Sequence, residues 1–138
     1  MKCVKLVLIL MVALVLGIPM VHAQSIENIV RADVPFQFSV NGKTADPGEY
    51  FLSATQEKTL AVRDHEGRLV AMVMTTALDD FHVQSPKLVF RHVGDRYYLS
   101  QVWLNNAGDG REVRVPKSEK IKLAQFKQDG QVAVVPAK

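Results

Sequence analysis

Cysteine is almost absent from this sequence of 138 residues, and its single copy, Cys3, stands near the N-terminus. The rest of the chain can therefore form no disulfide and no thiolate metal site, and it offers no cysteine nucleophile. A serine in a Gly-x-Ser-x-Gly turn is also missing, and the segment 108–110 lacks the lysine and the helix start of a phosphate-binding loop. These absences argue against an enzyme.

Charge of one sign is not in excess either. The chain has 17 lysine and arginine residues against 14 acidic ones, with the two signs interspersed. Lys2 and Lys5 belong to the leader predicted below, so the mature chain keeps 15 basic residues and a net charge of +1. A nucleic-acid-binding domain would carry clustered positive charge. The sequence therefore predicts no nucleic-acid partner.

The first 23 residues have the pattern of a secretion signal. Two lysines precede an apolar run at 6–16, and Val-His-Ala, ending at Ala23, supplies residues that signal peptidase reads. Gly17 and Pro19 interrupt the apolar run, which makes it too short for a stable membrane span. We expect cleavage after Ala23 and export of residues 24–138 as a single domain to the periplasm or the cell exterior. An uncleaved anchor is the alternative.

Short runs of alternating apolar and polar residues, separated by turn sequences, fill the mature chain. Residues 29–40 place Val34, Phe36, Phe38 and Val40 on one side, which is typical of a half-buried strand. Comparable runs follow at 50–54, 59–63, 68–76, 87–93, 96–104, 111–115 and 132–135. This spacing predicts a small all-β domain, an antiparallel sandwich or barrel of about eight short strands.

Two-residue turns predict two hairpins and their register. Asn41-Gly42 is typical of a type I′ turn, and Gly94-Asp95 suits a type II′ turn. A tight turn at 94–95 predicts three facing pairs on one side of the hairpin, with Trp103 on that side as well: His92 with Tyr97, Phe90 with Leu99, and Leu88 with Gln101.

The loop at 64–67 predicts the register of another hairpin. Its four residues would place Val62 opposite Leu69 and Leu60 opposite Ala71.

The segment 118–127 fits two patterns. Ser118 could cap a helix from Glu119 to Lys127, whereas Ile121 and Leu123 alternate with lysines as in a strand. We favour one short C-terminal helix.

Three histidines stand near groups that could carry chemistry. Asp64-His65-Glu66 combines divalent metal ligands, but consecutive loop residues seldom converge on one ion. Asp79 and Asp80 precede His82, and neighbours on an extended chain point to opposite sides, which makes them a poor acid and base pair. His92 is interpreted as a hydrogen-bonded residue at the rim of the core. We assign no catalytic residue, no metal ligand and no cofactor.

One strand is apolar on both sides. In 68–76, Leu69, Ala71 and Val73 form the expected inner side, yet the other side is apolar too, with Ala61 predicted opposite Val70. We expect the C-terminal helix or a crossing strand to cover this second side. The alternative is an exposed patch for a partner or an apolar ligand. The candidate interaction face consists of Val70, Met72 and Met74.

Several short motifs, in order and spacing, resemble a group of small secreted proteins of acidobacterial type. The resemblance covers most of residues 30–125, and it implies export and a compact β domain without implying any catalytic residue. The motifs that carry it are Val34-Pro35-Phe36-Gln37-Phe38, Asn41-Gly42-Lys43-Thr44, Pro47-Gly48-Glu49-Tyr50, Pro86-Lys87-Leu88-Val89-Phe90, Gly94-Asp95-Arg96-Tyr97-Tyr98-Leu99 and Val102-Trp103.

The leading functional interpretation is an exported β domain with a non-enzymatic structural or interaction role, whose partner is an unknown protein or a second copy. The alternatives are a barrel that binds a small apolar ligand and, third, a metal-dependent enzyme. A ligand-binding barrel needs small residues facing inward. Here large side chains are predicted to fill the interior: Phe36, Phe38, Tyr50, Phe90, Leu99 and Trp103.

Overall fold

The computed structural model describes residues 28–56, 58–125 and 131–138, and these form ten strands and one helix. In chain order they are β1 (Ile29–Val34), β2 (Phe38–Val40), β3 (Lys43–Ala45), β4 (Gly48–Gln56), β5 (Thr59–Asp64), β6 (Leu69–Asp79), β7 (Lys87–Val93), β8 (Arg96–Trp103), β9 (Asp109–Val113), α1 (Lys117–Gln125) and β10 (Gln131–Pro136). The predicted small all-β fold with one short helix is confirmed. Ten strands replace the expected eight because the run 29–40 breaks after Val34, where Pro35 follows, and because β3 adds a short hairpin.

The strands form one mixed sheet. Its main order is β1-β4-β5-β6-β9-β8-β2-β3. Outside this order, β7 pairs with β8, and β10 pairs with β7. The described pairs are antiparallel except for β2 and β8, which run parallel through Phe38 and Ser39. The expectation of a purely antiparallel sheet is therefore wrong at this one pair.

The sheet has two lobes. One consists of β1, β4, β5 and the first part of β6, and the other consists of the second part of β6 and the remaining strands. Strand β6 joins the two lobes. Its first part, Leu69 to Met74, pairs with β5, and its second part, from Thr75 onward, pairs with β9. The described strands do not close into a barrel, although Ala32 forms an isolated bridge with Ala137. Of the two predicted architectures, the barrel is therefore wrong.

One hydrophobic core draws side chains from both lobes. Leu52, Leu60, Leu88 and Phe90 are fully buried in it. The ring of Phe38 lies edge-on to Phe90, with 5.2 Å between ring centroids. Such interlocking of large rings is how protein interiors reach crystal-like density.

The Gly94-Asp95 hairpin has the predicted turn but not the whole predicted register. Gly94 has a positive φ of 63° and Asp95 does not, as a type II′ turn requires. The two predicted pairs closest to the turn, His92 with Tyr97 and Phe90 with Leu99, are confirmed. A bulge between Val89 and Phe90 then shifts the pairing, so the predictions for Leu88 and Trp103 are wrong.

Beyond this bulge, Leu88 faces Val102, and Trp103 faces Lys87 on the opposite side of the sheet from the core. Trp103 is nevertheless buried, because its ring packs on Gly110, where an added Cβ would lie 2.6 Å from a ring carbon. A one-residue shift reverses the side on which every later residue lies.

A one-residue shift at the turn, where Arg63 faces Leu69, and a second bulge together change the hairpin at 64–67. Val62 faces Ala71 and Leu60 faces Val73, so both predicted pairs are wrong by two residues. The pairing shifts between Val62 and Arg63, with Val70 as the extra residue of β6. Leu69 therefore moves from the expected inner side to the surface, where it is 51% exposed.

The remaining local predictions concern a turn and the helix. Asn41 and Gly42 have φ values of 49° and 75°, which confirms the type I′ turn. Helix α1 confirms the helical interpretation of the C-terminal segment. Ser118 does not cap this helix, because the helix begins at Lys117 and the carbonyl oxygen of Pro116 accepts the amides of Glu119 and Lys120. The predicted end at Lys127 lies outside the described residues.

Candidate functional site

The outer side of the β1-β4-β5-β6 lobe exposes four large apolar side chains. Ile29, Leu69, Met72 and Met74 are each between 49% and 56% exposed. We call these four residues the apolar face. Single exposed apolar residues are ordinary on protein surfaces, whereas large contiguous apolar patches are typical of interaction sites.

The strand register places these residues on one side. Ile29 faces Ser53, which faces Ala61, which faces Met72, so one row crosses all four strands. Opposed residues share a side of the sheet, and residues two apart on a strand repeat it. Met74 therefore lies on the same side as Met72, while Ala71 and Val73 point into the core.

The predicted interaction face is only partly assembled as expected. Met72 and Met74 lie together and exposed, but Val70 is half-buried and packs against the core. Its position as the extra residue of the bulge separates it from the methionines. Ala61, predicted opposite Val70, instead faces Met72.

Sequence reasoning missed two members of the apolar face. Ile29 is apolar at a position where the alternation of 29–40 requires a polar residue, and that mismatch could have indicated it. Leu69 follows the alternation of its own strand, so only the bulge, which depends on a partner strand, reveals its exposure.

Helix α1 does not provide the cover expected for this side of β6. The helix is attached to β2, where the hydroxyl of Ser39 donates to Oε1 of Glu119 at 2.8 Å. Ile121 on the helix is itself 65% exposed, and both methionines of the apolar face remain about half exposed. The described part of the chain therefore leaves each side chain of the apolar face about half exposed, while Ser53 and Ala61, which stand between Ile29 and Met72 in the same row, are buried.

Polar groups border the apolar face. Nη2 of Arg31 on β1 lies 2.7 Å from Oε2 of Glu49 on β4, and Arg63 stands opposite Leu69. At the edge of β6, Nδ2 of Asn41 donates to the carbonyl oxygen of Met72 at 3.0 Å. An apolar centre with a polar rim is the usual anatomy of a protein interface.

The Asp64-His65-Glu66 loop is held together by its own hydrogen bonds. Oδ1 of Asp64 accepts the amides of Glu66 and Arg68 at 3.0 and 2.9 Å, and Oδ2 accepts Nε of Arg68 at 3.0 Å. Desolvation raises the pKa of the Asp64 carboxyl, but the bonds and charge of Arg68 outweigh it and hold the pKa below its usual value. This carboxylate closes a hairpin loop.

The carboxylate of Asp80 has a similar local role. Oδ1 accepts the amide of His82 and lies 3.0 Å from its Nδ1. The amide hydrogen bond, followed by the contact with the imidazole, lowers the pKa of Asp80. Among the described residues, no three His, Cys, Asp or Glu side chains are placed to hold a metal ion.

A row of stacked rings borders a cleft beside the Gly94-Asp95 hairpin. Tyr97 lies between Phe36 and His92, with centroid separations of 3.8 and 4.2 Å. His92 is thus a stacked residue, and the predicted hydrogen bond is not present among the described residues. The cleft, about 320 Å³ in volume, is also lined by Asp95 and Arg96. Because both faces of Tyr97 are covered by neighbouring rings, this ring offers no open stacking platform.

In the described ranges, no helix is long and apolar enough to cross a bilayer. Comparisons with protein-family models, curated proteins and solved structures found no match to this chain.

Proposed function

We propose that this protein is exported, that its leader is removed after Ala23, and that the mature domain acts without catalysis by binding a protein through the apolar face. One observation carries the proposal: Ile29, Leu69, Met72 and Met74 lie half-exposed on one side of a lobe whose other side already packs on the core.

The energetics indicate how strong such binding can be. Complete burial of one Leu, Ile or Met side chain contributes roughly 1.5–3 kcal/mol, so covering four half-exposed ones contributes roughly 3–6 kcal/mol. Association itself costs at least about 4 kcal/mol in lost translational and rotational freedom. The four residues alone therefore support only weak binding, and a specific partner needs further contacts from the rim.

The polar rim can supply those contacts. Arg31, Glu49 and Arg63 stand beside the apolar residues on the same lobe. Opposite charges on a partner would fix the orientation of the complex and exclude other apolar surfaces. The Arg31–Glu49 pair is exposed and contributes little to the stability of the monomer, so both side chains are available to a partner.

Site-specific cross-linking tests the proposal directly. A photoreactive amino acid replaces Met72 in the producing cells, and the control carries it at Phe81, an 81% exposed residue of a loop outside the apolar face. We expect a covalent adduct from position 72 and none from position 81. An adduct of twice the mass identifies a second copy, another mass identifies a different protein, and no adduct at position 72 contradicts the proposal.

A charge substitution provides an independent test. Met72→Lys places an ammonium group on the exposed apolar face, where it is tolerated by the free domain but disfavoured in an apolar interface. We expect an unchanged melting temperature and loss of the adduct when the photoreactive group stands at Leu69. Phe81→Lys should change neither property. A strong decrease in the melting temperature of Met72→Lys would mean that the chain itself covers this face.

A further inference from the structure

Strand β10 leaves most of one edge without a neighbouring strand. Its first edge pairs with β7 along the whole of Gln131–Pro136. On its second edge, the described part of the chain brings only β1, and that contact is confined to the C-terminal end, where Ala137 bridges Ala32. Along 131–135, no described strand is hydrogen-bonded to this second edge. We call this stretch the open edge.

Hydrogen bonds at the end of the chain show which backbone groups point to the open edge. The amide of Ala137 donates at 3.1 Å to the carbonyl oxygen of Pro86, immediately before β7. One residue further, the amide of Lys138 donates to the carbonyl oxygen of Arg31 at 2.9 Å, and the amide of Arg31 donates to that of Lys138 at 3.0 Å. Successive residues of a strand direct their backbone groups to opposite edges. Even-numbered residues of β10 therefore direct theirs to the open edge.

Two prolines agree with this orientation. Pro136 has no amide hydrogen, and an even-numbered position costs it no bond to β7. If the bridge between β1 and β10 continued in register, Pro35 would stand opposite Val134, and Pro35 has no amide to donate to the carbonyl oxygen there. The pairing of β1 with β10 therefore ends, and the amides and carbonyls of Val132 and Val134 have no strand partner among the described residues.

The side chains along the open edge are apolar and uncharged. Val132 and Val134 lie on the same side of β10 and are 66% and 55% exposed, and residues 131–137 include no charged side chain. Natural proteins usually protect an exposed edge strand with charge. Strand β3, at one end of the main sheet order, has Lys43 for this purpose. The open edge of β10 has free donors and acceptors without such protection, so it is suited to pairing with another strand.

We propose that β10 pairs, antiparallel, with β10 of a second copy of this chain. A two-fold axis at Ala133 places Val132 of each copy opposite Val134 of the other, and the free amides of each strand then donate to the free carbonyls of its partner. Ala133 stands opposite its own copy, and its small side chain permits the close approach of the two strands at that point. Pairing of this kind extends the sheet from one copy into the next.

The charge distribution favours a second copy as the partner. A two-fold axis brings each charge towards its own copy, and like charges opposite each other on paired strands are destabilising. Strand β10 has no such charge. The cations that face it from β7, Lys87 and Arg91, are separated from their copies by at least three strand spacings, about 14 Å. That distance exceeds the screening length of about 8 Å at physiological salt.

Sedimentation equilibrium of the purified full-length mature protein measures the pairing. Strand β1 occupies the same edge from Ala137 onward, so the shared segment is short and the interface is smaller than the roughly 1,200 Å² of stable complexes. We expect a reversible dimer with a dissociation constant between about 10 μM and 1 mM. A protein that remains monomeric at a concentration of about 1 mM refutes the proposal.

Single cysteines test the register, because the chain has no cysteine beyond Cys3 of the leader. In Ala133→Cys the two cysteines oppose each other with about 4.5 Å between Cα atoms, which a disulfide can span. In the control Val134→Cys they are diagonal neighbours about 7–8 Å apart, beyond ordinary disulfide reach. With oxidised glutathione, we expect a covalent dimer from Ala133→Cys and little from Val134→Cys. Equal yields, or no dimer from Ala133→Cys, overturn the proposed pairing.

Charge exchange identifies the partner. Each of two double variants, Val132→Lys with Val134→Lys and Val132→Glu with Val134→Glu, should be monomeric alone, because like charges would meet at the axis. An equimolar mixture should form a heterodimer. Both should melt close to the parent, since the substituted side chains are exposed, and Phe81→Lys should dimerise like the parent. A mixture that remains monomeric would mean that the open edge does not pair with its own copy, and the proposal fails.

The open edge and the apolar face lie on different lobes. The double variants should therefore leave the cross-linked adduct from position 72 unchanged, so either proposal can fail without the other.

Discussion

Replacing Gly108 by alanine tests the packing of the loop before β9 against the segment that follows β6. Gly108 has a positive φ of 86°, and a Cβ built on it would lie 2.2 Å from the carbonyl oxygen of Asp80 and 2.6 Å from its carbonyl carbon. Contacts this short with backbone atoms cannot be relieved by rotating a side chain. The substitution therefore combines an unfavourable backbone conformation with displacement of a neighbouring segment.

The magnitude follows from three contributions. An L-residue at this φ costs about 1–2 kcal/mol. Moving the Asp80 carbonyl away weakens the bond from the Asp80 amide to the Gly108 oxygen, now 3.0 Å long, whose loss costs about 0.5–1.5 kcal/mol. The backbone shift itself resembles overpacking and adds about 1–3 kcal/mol. We expect Gly108→Ala to lower the free energy of unfolding by about 2.5–6.5 kcal/mol in total.

Gly94→Ala is the matched control. Gly94 also has a positive φ, 63°, but nothing lies within 4 Å of a Cβ built there, so only the conformational cost of about 1–2 kcal/mol applies. Urea unfolding followed by circular dichroism measures both variants, with equal m-values as the condition for comparing them. If Gly108→Ala loses no more stability than Gly94→Ala, the inferred contact with Asp80 is wrong.

Two further predictions concern pH and processing. The pKa of the Asp80 carboxyl is lowered in the folded protein by its bonds from His82, so their stabilising effect is present above the unfolded pKa of about 3.9 and is lost as the pH falls through the folded value. Acid unfolding of Asp80→Asn should therefore show a shallower loss of stability below a pH of about 4 than the parent, and an identical slope would contradict this. Mass spectrometry of the exported protein should find Gln24 at the N-terminus, whereas a mass that includes the first 23 residues would refute both the cleavage site and the mature charge of +1.

The candidate site was only partly predictable from the sequence. Met72 and Met74 were predictable because alternation along one strand places them on the same side, and their apolar character conflicts with a solvent-facing side. Val70 has the same spacing, yet it packs against the core because a bulge interrupts the alternation just there. Ile29 joins them from another strand, and the pairing of β1 with β4 has no local sequence signal.

The sequence by itself determined the eight strand-forming runs, the two-residue turns and the two pairs nearest Gly94-Asp95, but not the break after Val34 or strand β3. Alternation, Asn41-Gly42 and Gly94-Asp95 act over a few residues, so their effect can be deduced from neighbours in the chain. Only the tertiary structure decided the bulges, the passage of β6 between the lobes and the parallel pairing of β2 with β8. Each depends on which distant strand supplies the facing hydrogen bonds and side chains, and a one-residue shift in that pairing reverses which residues are buried.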